Sequence, residues 1–226
     1  MEVGVPIEID HLFICTDRPA AEAARLSALG LCEGSPNSHP GQGTANRRFF
    51  FHNAMLELLY LVDAAEADSD LTRPTGLHAR LTAPTGAHVS PFGECFRPRD
   101  PARPECPFPA WDYRPGYLPP ALGISVAMAP LREPMWFHLA FGVRPERVPP
   151  PQRQPLLHAA GLREITSVAL VVAGREPLSA AAQCAIDAAG LSLRQGGEPL
   201  LEIGFDHRVQ RQTRDLRPGL PLLLHW

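Results

Sequence analysis

Lysine is missing from this chain: all 21 of its basic residues are arginine. That excludes Schiff-base chemistry, a pyridoxal phosphate anchor and the lysine of a P-loop. Cationic work falls to guanidinium groups, which are permanently charged and shaped for carboxylates and phosphates. Cysteine is sparse as well. Cys15, Cys32, Cys95, Cys106 and Cys184 are odd in number and contain no C-x-x-C pair, which argues against a zinc ribbon and a disulfide framework. No apolar run reaches the roughly 18 residues of a membrane span. No positively charged segment precedes the first apolar stretch, so the pattern of a signal peptide is lacking and a reduced, cytoplasmic protein is expected. A large charge excess is also missing. The net charge of −3 leaves no basic surface for nucleic acid and no polybasic patch for a membrane. No serine sits in a G-x-S-x-G elbow, which removes support for serine hydrolase chemistry.

What remains is the balance of an ordinary globular protein, with 45% hydrophobic and 20% charged residues. Residues 7–16 (IEIDHLFICT) read as a strand. Asp17 and Pro19 mark a helix start, 19–29 read as the helix, and Gly30 ends it. Residues 34–46 are a polar loop dense in turn formers. Two apolar runs, 47–52 and 55–62, flank Asn53-Ala54 as a hairpin. The last 62 residues repeat this spelling: a strand at 165–172, a helix at 178–191 capped by Ser179, and strand candidates at 192–196, 199–206 and 220–226. One βαβββ unit at each end of a chain is an internal repeat. Neither unit has enough strands to bury its helix alone.

The middle differs. Residues 101–120 hold seven prolines and cannot be regular over their length. Yet Trp111, Tyr113 and Tyr117 fall within seven residues, so this segment is expected to be ordered and anchored by its rings. Residues 123–130 and 135–143 are two further strand candidates, and 144–155 a Pro- and Arg-rich connector.

Six segments carry a resemblance. They are IDHLFI at 9–14, HPGQGTANRRFFF at 39–51, MLELLYL at 55–61, PFGECFRP at 91–98, PFPAWDYRPGYLPP at 107–120 and DLRPGLPLLLHW at 215–226. With them the chain resembles the vicinal-oxygen-chelate superfamily, and more narrowly its bacterial glyoxalase-like domain proteins. The resemblance implies an α+β fold in which two βαβββ units share a cupped mixed sheet. The expected single domain, 1–226, then divides into a first unit at 1–63, a Pro-rich connecting region at 64–164 and a second unit at 165–226. It implies action on a small oxygen-rich metabolite, as a divalent-metal-dependent lyase, isomerase or dioxygenase. The alternative is a metal-free protein of the same fold that binds or sequesters a small molecule. The expected partner is a small-molecule ligand, with a homodimer as the assembly considered.

In the metalloenzymes of that superfamily, each unit supplies a ligand from its first strand and another from its last. His11 matches the first position and Glu57 the last-strand position, where Glu57 also has the expected catalytic role. Strand alternation puts Ile9, His11, Phe13 and Cys15 on one face. A glutamate inside an apolar strand needs a partner: either a cation shared with His11, or an arginine such as Arg47 or Arg48. In the second unit Ser167 stands where His11 would be, and the counterpart of Glu57 is Glu202 by local pattern or His225 by strand count. The expected metal set is therefore His11, Glu57 and Glu202. The loop 39–48 joins Gly41 and Gly43 to Arg47 and Arg48. It can hold an anion, or serve as a plain crossover with solvated arginines. It contains no G-x-G-x-x-G, so no nucleotide cofactor is expected. Arg47, Trp111, Tyr113 and Arg114 are the candidate substrate contacts, with ring packing onto the sheet as the other reading of the aromatics. Cys95 has no base near it in sequence and reads as a buried, inert thiol.

Overall fold

The computed structural model describes residues 7–84 and 86–226. Its first half follows the pattern read from the sequence: strand β1 (Ile7–Cys15), helix α1 (Pro19–Ala28), then β2 (Asn37–His39), β3 (Thr44–Phe50) and β4 (Met55–Leu61). Pro19 opens α1, but Arg18 occupies its cap position and no side chain caps it, so the capping role expected of Asp17 is not realised. β1 runs parallel to β4, and β4, β3 and β2 are antiparallel neighbours.

The same arrangement recurs in the middle of the chain. Strands β5 (Phe92–Pro98), β6 (Ala110–Tyr113), β7 (Ile124–Ala127) and β8 (Met135–His138) pair as β5 parallel to β8, then β7 and β6 antiparallel. β1 and β5 meet antiparallel at the centre. The result is one eight-stranded mixed sheet, β2-β3-β4-β1-β5-β8-β7-β6, curled into a half-barrel. It repeats the same order outwards on both sides of the β1–β5 pair. Where α1 stands in the first half, the second has residues 99–109 with four prolines. A helix there would lose ladder hydrogen bonds and meet ring clashes. The proline-free stretch Ala110–Tyr113 is nonetheless regular strand, which corrects the expectation of irregular chain throughout 101–120.

The fold class is thus the expected α+β, cupped-sheet architecture. The assignment of its second half to 165–226 is corrected. Those residues do spell strand β9 (Ile165–Val172), helix α2 (Ala180–Ala189), then β10 (Ser192–Gln195), β11 (Leu200–Phe205), β12 (Thr213–Asp215) and β13 (Leu222–His225). They form their own five-stranded sheet, β10-β9-β11-β13-β12. The reason lies in pairing and burial together. Both edges of β1 are taken, by β4 and β5, while the back of the cup is apolar. Leu12, Ile14, Phe92, Phe96 and Trp136 share one core with Val168, Leu170, Ile203 and Leu222 of the second sheet. Removing that surface from water drives the layering.

Asn53, in the β3–β4 turn, stitches the layers. Its amide donates to the Ile165 carbonyl at 2.7 Å and its oxygen accepts from the Ile165 N–H at 2.9 Å. Ser179 caps α2 as expected, accepting from Ala182 N at 3.1 Å. Among the described residues no helix is long and apolar enough to cross a membrane.

Candidate active site

The inner face of the cup is set by a fault in β1. The β1–β5 register shifts between Ile9 and His11, so Asp10 is a bulge residue. Beyond the bulge, His11 and Phe13 line the cup cavity, while Leu12 and Ile14 enter the inter-sheet core. Before it the phase is reversed. Ile9 packs against the core instead, correcting its expected place beside His11. The bulge also brings Asp10 and His11 together: His11 Nδ1 lies 2.7 Å from Asp10 Oδ1. Asp10 Oδ2 accepts from Arg97 Nη1 at 3.0 Å, and Arg97 Nε donates to Glu8 Oε1 at 2.9 Å. Arg97 is 2% exposed and also donates to the Asn53 carbonyl. Glu8 in turn accepts from Arg144 at 2.7 Å. A charge-paired row thus runs inward from Arg144 to His11.

These contacts fix charge states. Burial alone works against the His11 imidazolium, but the Glu57 charge and the Asp10 hydrogen bond outweigh it and raise the His11 pKa. Burial would likewise raise Asp10, yet His11 and Arg97 hold its carboxyl below the usual range.

Glu57 lies on β4 opposite Phe13 of β1 and, as expected, lines the same cavity as His11. It is 7% exposed. No arginine neutralises it at ion-pair distance. Arg48 faces it across the β3–β4 ladder, but its Nε donates to the Ser35 carbonyl at 2.8 Å and its guanidinium stacks over Phe50. Arg47 is turned to Glu33 in a two-pronged bond, both contacts 2.6 Å. The ion-pair reading of Glu57 and the substrate role for Arg47 are both corrected by this geometry. The anion expected at the glycine loop is also internal: Gly41 N and Gly43 N donate to Glu66 Oε2 at 2.7 and 3.1 Å. A Cβ at Gly43, where φ is +72°, would come within 2.1 Å of the Asp63 carbonyl oxygen, so this turn requires glycine.

The cavity has a volume of 180 Å³. Its floor needs Gly93, since a Cβ there would fall 2.0 Å from the Phe13 ring. Part of its roof is the aromatic segment from the Pro-rich region. Tyr113 and Tyr117 hydroxyls both donate to Gln42 Oε1 at 3.1 Å. Tyr117 also packs on His39, ring centroids 4.9 Å apart. Tyr113 thus lines the cavity as expected. Trp111 instead borders a separate apolar groove with Met128 and Leu131. Arg114 is exposed and bound to Asp112 at 2.6 Å and the Pro120 carbonyl at 3.0 Å. Both are corrected as cavity contacts.

Glu202 is corrected as a ligand partner of His11. It stands on β11 in the other sheet, engaged by Arg194 and, at 3.4 Å, by His225. The counterparts of the first-half donors lie elsewhere. His11 pairs with Cys95 across the sheet centre. Met55 opposes His11 as Phe137 opposes Cys95, so two residues on, Glu57 corresponds to Leu139. Cys95 is fully buried in the sheet, and burial pushes its thiol pKa well up, as expected for an inert thiol. Sequence reading missed Asp10, Arg97, His39 and Gln42. His39 and Gln42 were visible in the HPGQG loop; the bulge that recruits Asp10 leaves no periodic signal.

For a divalent cation the donors fit on one side only. The Asp10 contact leaves His11 Nε2 as the ligating atom, the usual carboxylate-braced arrangement of metal-binding histidines. Glu57 supplies a near-buried carboxylate in want of a counter-charge. His39 shares the cavity, its Nδ1 2.9 Å from Thr44 Oγ1. The facing side offers Phe137 and Leu139. Among the described residues, one group of three donor side chains lies within 4.8 Å of one another: Asp10, His11 and Cys95.

Residues 9–114 match the family model described as the glyoxalase-like domain. The match covers 106 of the chain's 226 residues and likens this segment to that family. The matched residues run from β1 through β6 and contain His11, His39, Glu57, Cys95 and the Tyr113 roof. No curated relative matches the sequence. Among solved structures, a hypothetical protein from Staphylococcus aureus is 10% identical, with a TM-score of 0.55 over 97% of this chain and 98% of that one. Its likeness extends to the second sheet and concerns the fold. A mutant of 4-hydroxymandelate synthase from Streptomyces coelicolor is 13% identical, with a TM-score of 0.37 over 98% of this chain and 62% of that one.

Proposed function

We propose that the cup of this glyoxalase-like domain is the active site of an enzyme acting on a small oxygen-bearing molecule, with a divalent cation held by His11 and Glu57. The observation that carries this reading is the convergence of His11, braced by Asp10, and Glu57, unneutralised by arginine, on one cavity. When bound, the cation would polarise adjacent oxygens of the ligand. The protein's own share is positional. The Asp10 contact sets the plane of the His11 ring. Glu57 has two oxygens and can keep one for a ligand proton while the other is engaged. Phe137 and Leu139 keep bulk water from the far side, which strengthens every charge inside.

Elemental analysis and calorimetry of the purified protein with manganese, zinc or nickel test this. The wild type should retain stoichiometric metal, and Glu57→Gln and His11→Ala should each lose it while staying folded by circular dichroism. A wild type that takes up none of these metals, or a Glu57→Gln variant that binds them as well as the wild type, overturns the proposal.

A further inference from the structure

The two halves of the cup share a topology but not a chemistry. Cavity groups able to hydrogen-bond to a ligand come from the first half: His11, Asn37, His39 and Glu57. The second half contributes Ile124, Met135, Phe137 and Leu139. The polar ends of the roof are spent within the protein, because both tyrosine hydroxyls and the Gln42 oxygen satisfy one another. No arginine lines the cavity. The arginines nearest it are committed: Arg97 to Glu8 and Asp10, Arg48 to Ser35, and Arg80 to the carbonyls of Ser90 and Glu133 at 2.8 and 2.7 Å. The backbone donors of the glycine loop are closed off by Glu66. An anionic ligand would find an apolar wall and the Glu57 carboxylate, with no guanidinium to receive it.

Resting on the reading of the cup as a ligand site, we infer its substrate class: a small uncharged molecule with a compact oxygen-bearing head and one apolar arm. With no cation bound, carboxylates and phosphates find no counter-charge there. The head meets His11, His39 and Glu57, and the arm lies along Phe137 and Leu139. The 180 Å³ cavity is below the roughly 300–1,000 Å³ of sites for drug-sized ligands, so the arm is no larger than a single ring or short branched chain. In the cation-free cup, rejection of anions follows from desolvation, since a charge buried without a partner is costly and the Glu57 charge adds repulsion; a bound cation would supply the missing counter-charge and weaken that rejection.

The test uses three probes on the full chain, by calorimetry or ligand-observed NMR. They are 2-hydroxyacetophenone, which has a neutral head and a phenyl arm; phenylglyoxylate, similar in shape but anionic; and glycolaldehyde, which has the head without the arm. Each is measured on chelator-treated and on metal-supplemented protein. On chelator-treated protein the neutral aryl probe should bind about tenfold or more tighter than phenylglyoxylate, as an unpaired buried charge demands, and tighter than glycolaldehyde; added metal should narrow the first gap. Leu139→Arg, which places a guanidinium on the apolar wall, should reverse the preference between the first two. Should that variant fail to fold, the wild-type ranking decides alone. Equal or tighter binding of phenylglyoxylate by chelator-treated wild-type protein, no loss on removing the arm, or no binding of the neutral probe each overturns the inference. Because the ranking is read with and without metal, a failure of metal uptake is seen separately from a failure of the substrate class.

Discussion

Glu94 is the residue whose replacement speaks most directly to how this cup is built. It lies on β5 between Leu12 of β1 and Trp136 of β8. With Phe92 and Phe96 it alternates toward the core between the sheets. It is 0% exposed, and neither carboxyl oxygen has a hydrogen-bond partner. Burial therefore raises its pKa well above the ordinary value. In the unfolded chain the same group ionises near pH ~4.3. Between that pH and the raised folded value, the native state holds one proton more than the unfolded state. Stability must then fall as pH rises, by about 1.4 kcal/mol per pH unit. Glu94→Met keeps the length of the side chain and removes the titration. The assay is urea unfolding of both proteins from pH 4.5 to 6.5, taking the difference in stability at each pH so that every other titrating group cancels. The variant should be the more stable throughout, since even the protonated carboxyl costs roughly 1–3 kcal/mol without a partner. Its advantage should grow with pH at the slope given. A difference that stays flat across this range would refute the reasoning, because it would mean that Glu94 is as readily ionised folded as unfolded.

Two further substitutions probe what holds the cup together. Asn53→Ala removes both hydrogen bonds to Ile165 and should cost about 1–3 kcal/mol in denaturant unfolding, with no loss of metal binding. Arg97→Leu leaves Glu8 with Arg144 and Asp10 with His11 but removes the buried cation shared by the two carboxylates, and should cost roughly 3–5 kcal/mol. Adding Glu8→Gln and Asp10→Asn should restore part of that, and a triple variant no more stable than Arg97→Leu would argue against the charge row.

The first half of the fold was legible because its strands are long and its helix ends on glycine. The expected runs 7–16, 19–29 and 55–62 fall within two residues of β1, α1 and β4. The partner half was legible in part. The strand candidates 123–130 and 135–143 hold β7 and β8, while β6, of four residues, sits among prolines that discouraged a regular reading. The C-terminal unit was read correctly as a series of elements and placed in the wrong sheet, since periodicity reports which face is buried and not which edge is paired. Side-chain roles failed where a residue found a nearer partner than the one imagined. Arg47 went to Glu33, and the glycine loop to Glu66. Glu57 was legible for the opposite reason: an acid in an apolar strand announces a role, and no arginine in the structure answers it.

The corrected topology also explains why a fourth ligand could not be found in the sequence. Residues 165–226, where Ser167 and Glu202 match His11 and Glu57 by sequence pattern, cover the back of the cup. The positions related by the pairing of β1 with β5 are Cys95 and Leu139. One is a thiol that burial keeps protonated, and the other is a hydrocarbon. A cage of four donors drawn from both halves is therefore closed to this chain, while a one-sided site is not. Losing the second pair of donors also changes what can bind. The same exchange that leaves any cation with open positions gives the ligand an apolar wall opposite them. In the proposed reading, metal retention and ligand charge are two consequences of one asymmetry, and Leu139 is the position at which they can be separated. A guanidinium there supplies no metal ligand but does supply a counter-charge. Leu139→Arg should therefore leave metal uptake governed by His11 and Glu57 while it changes which ligand the cup prefers.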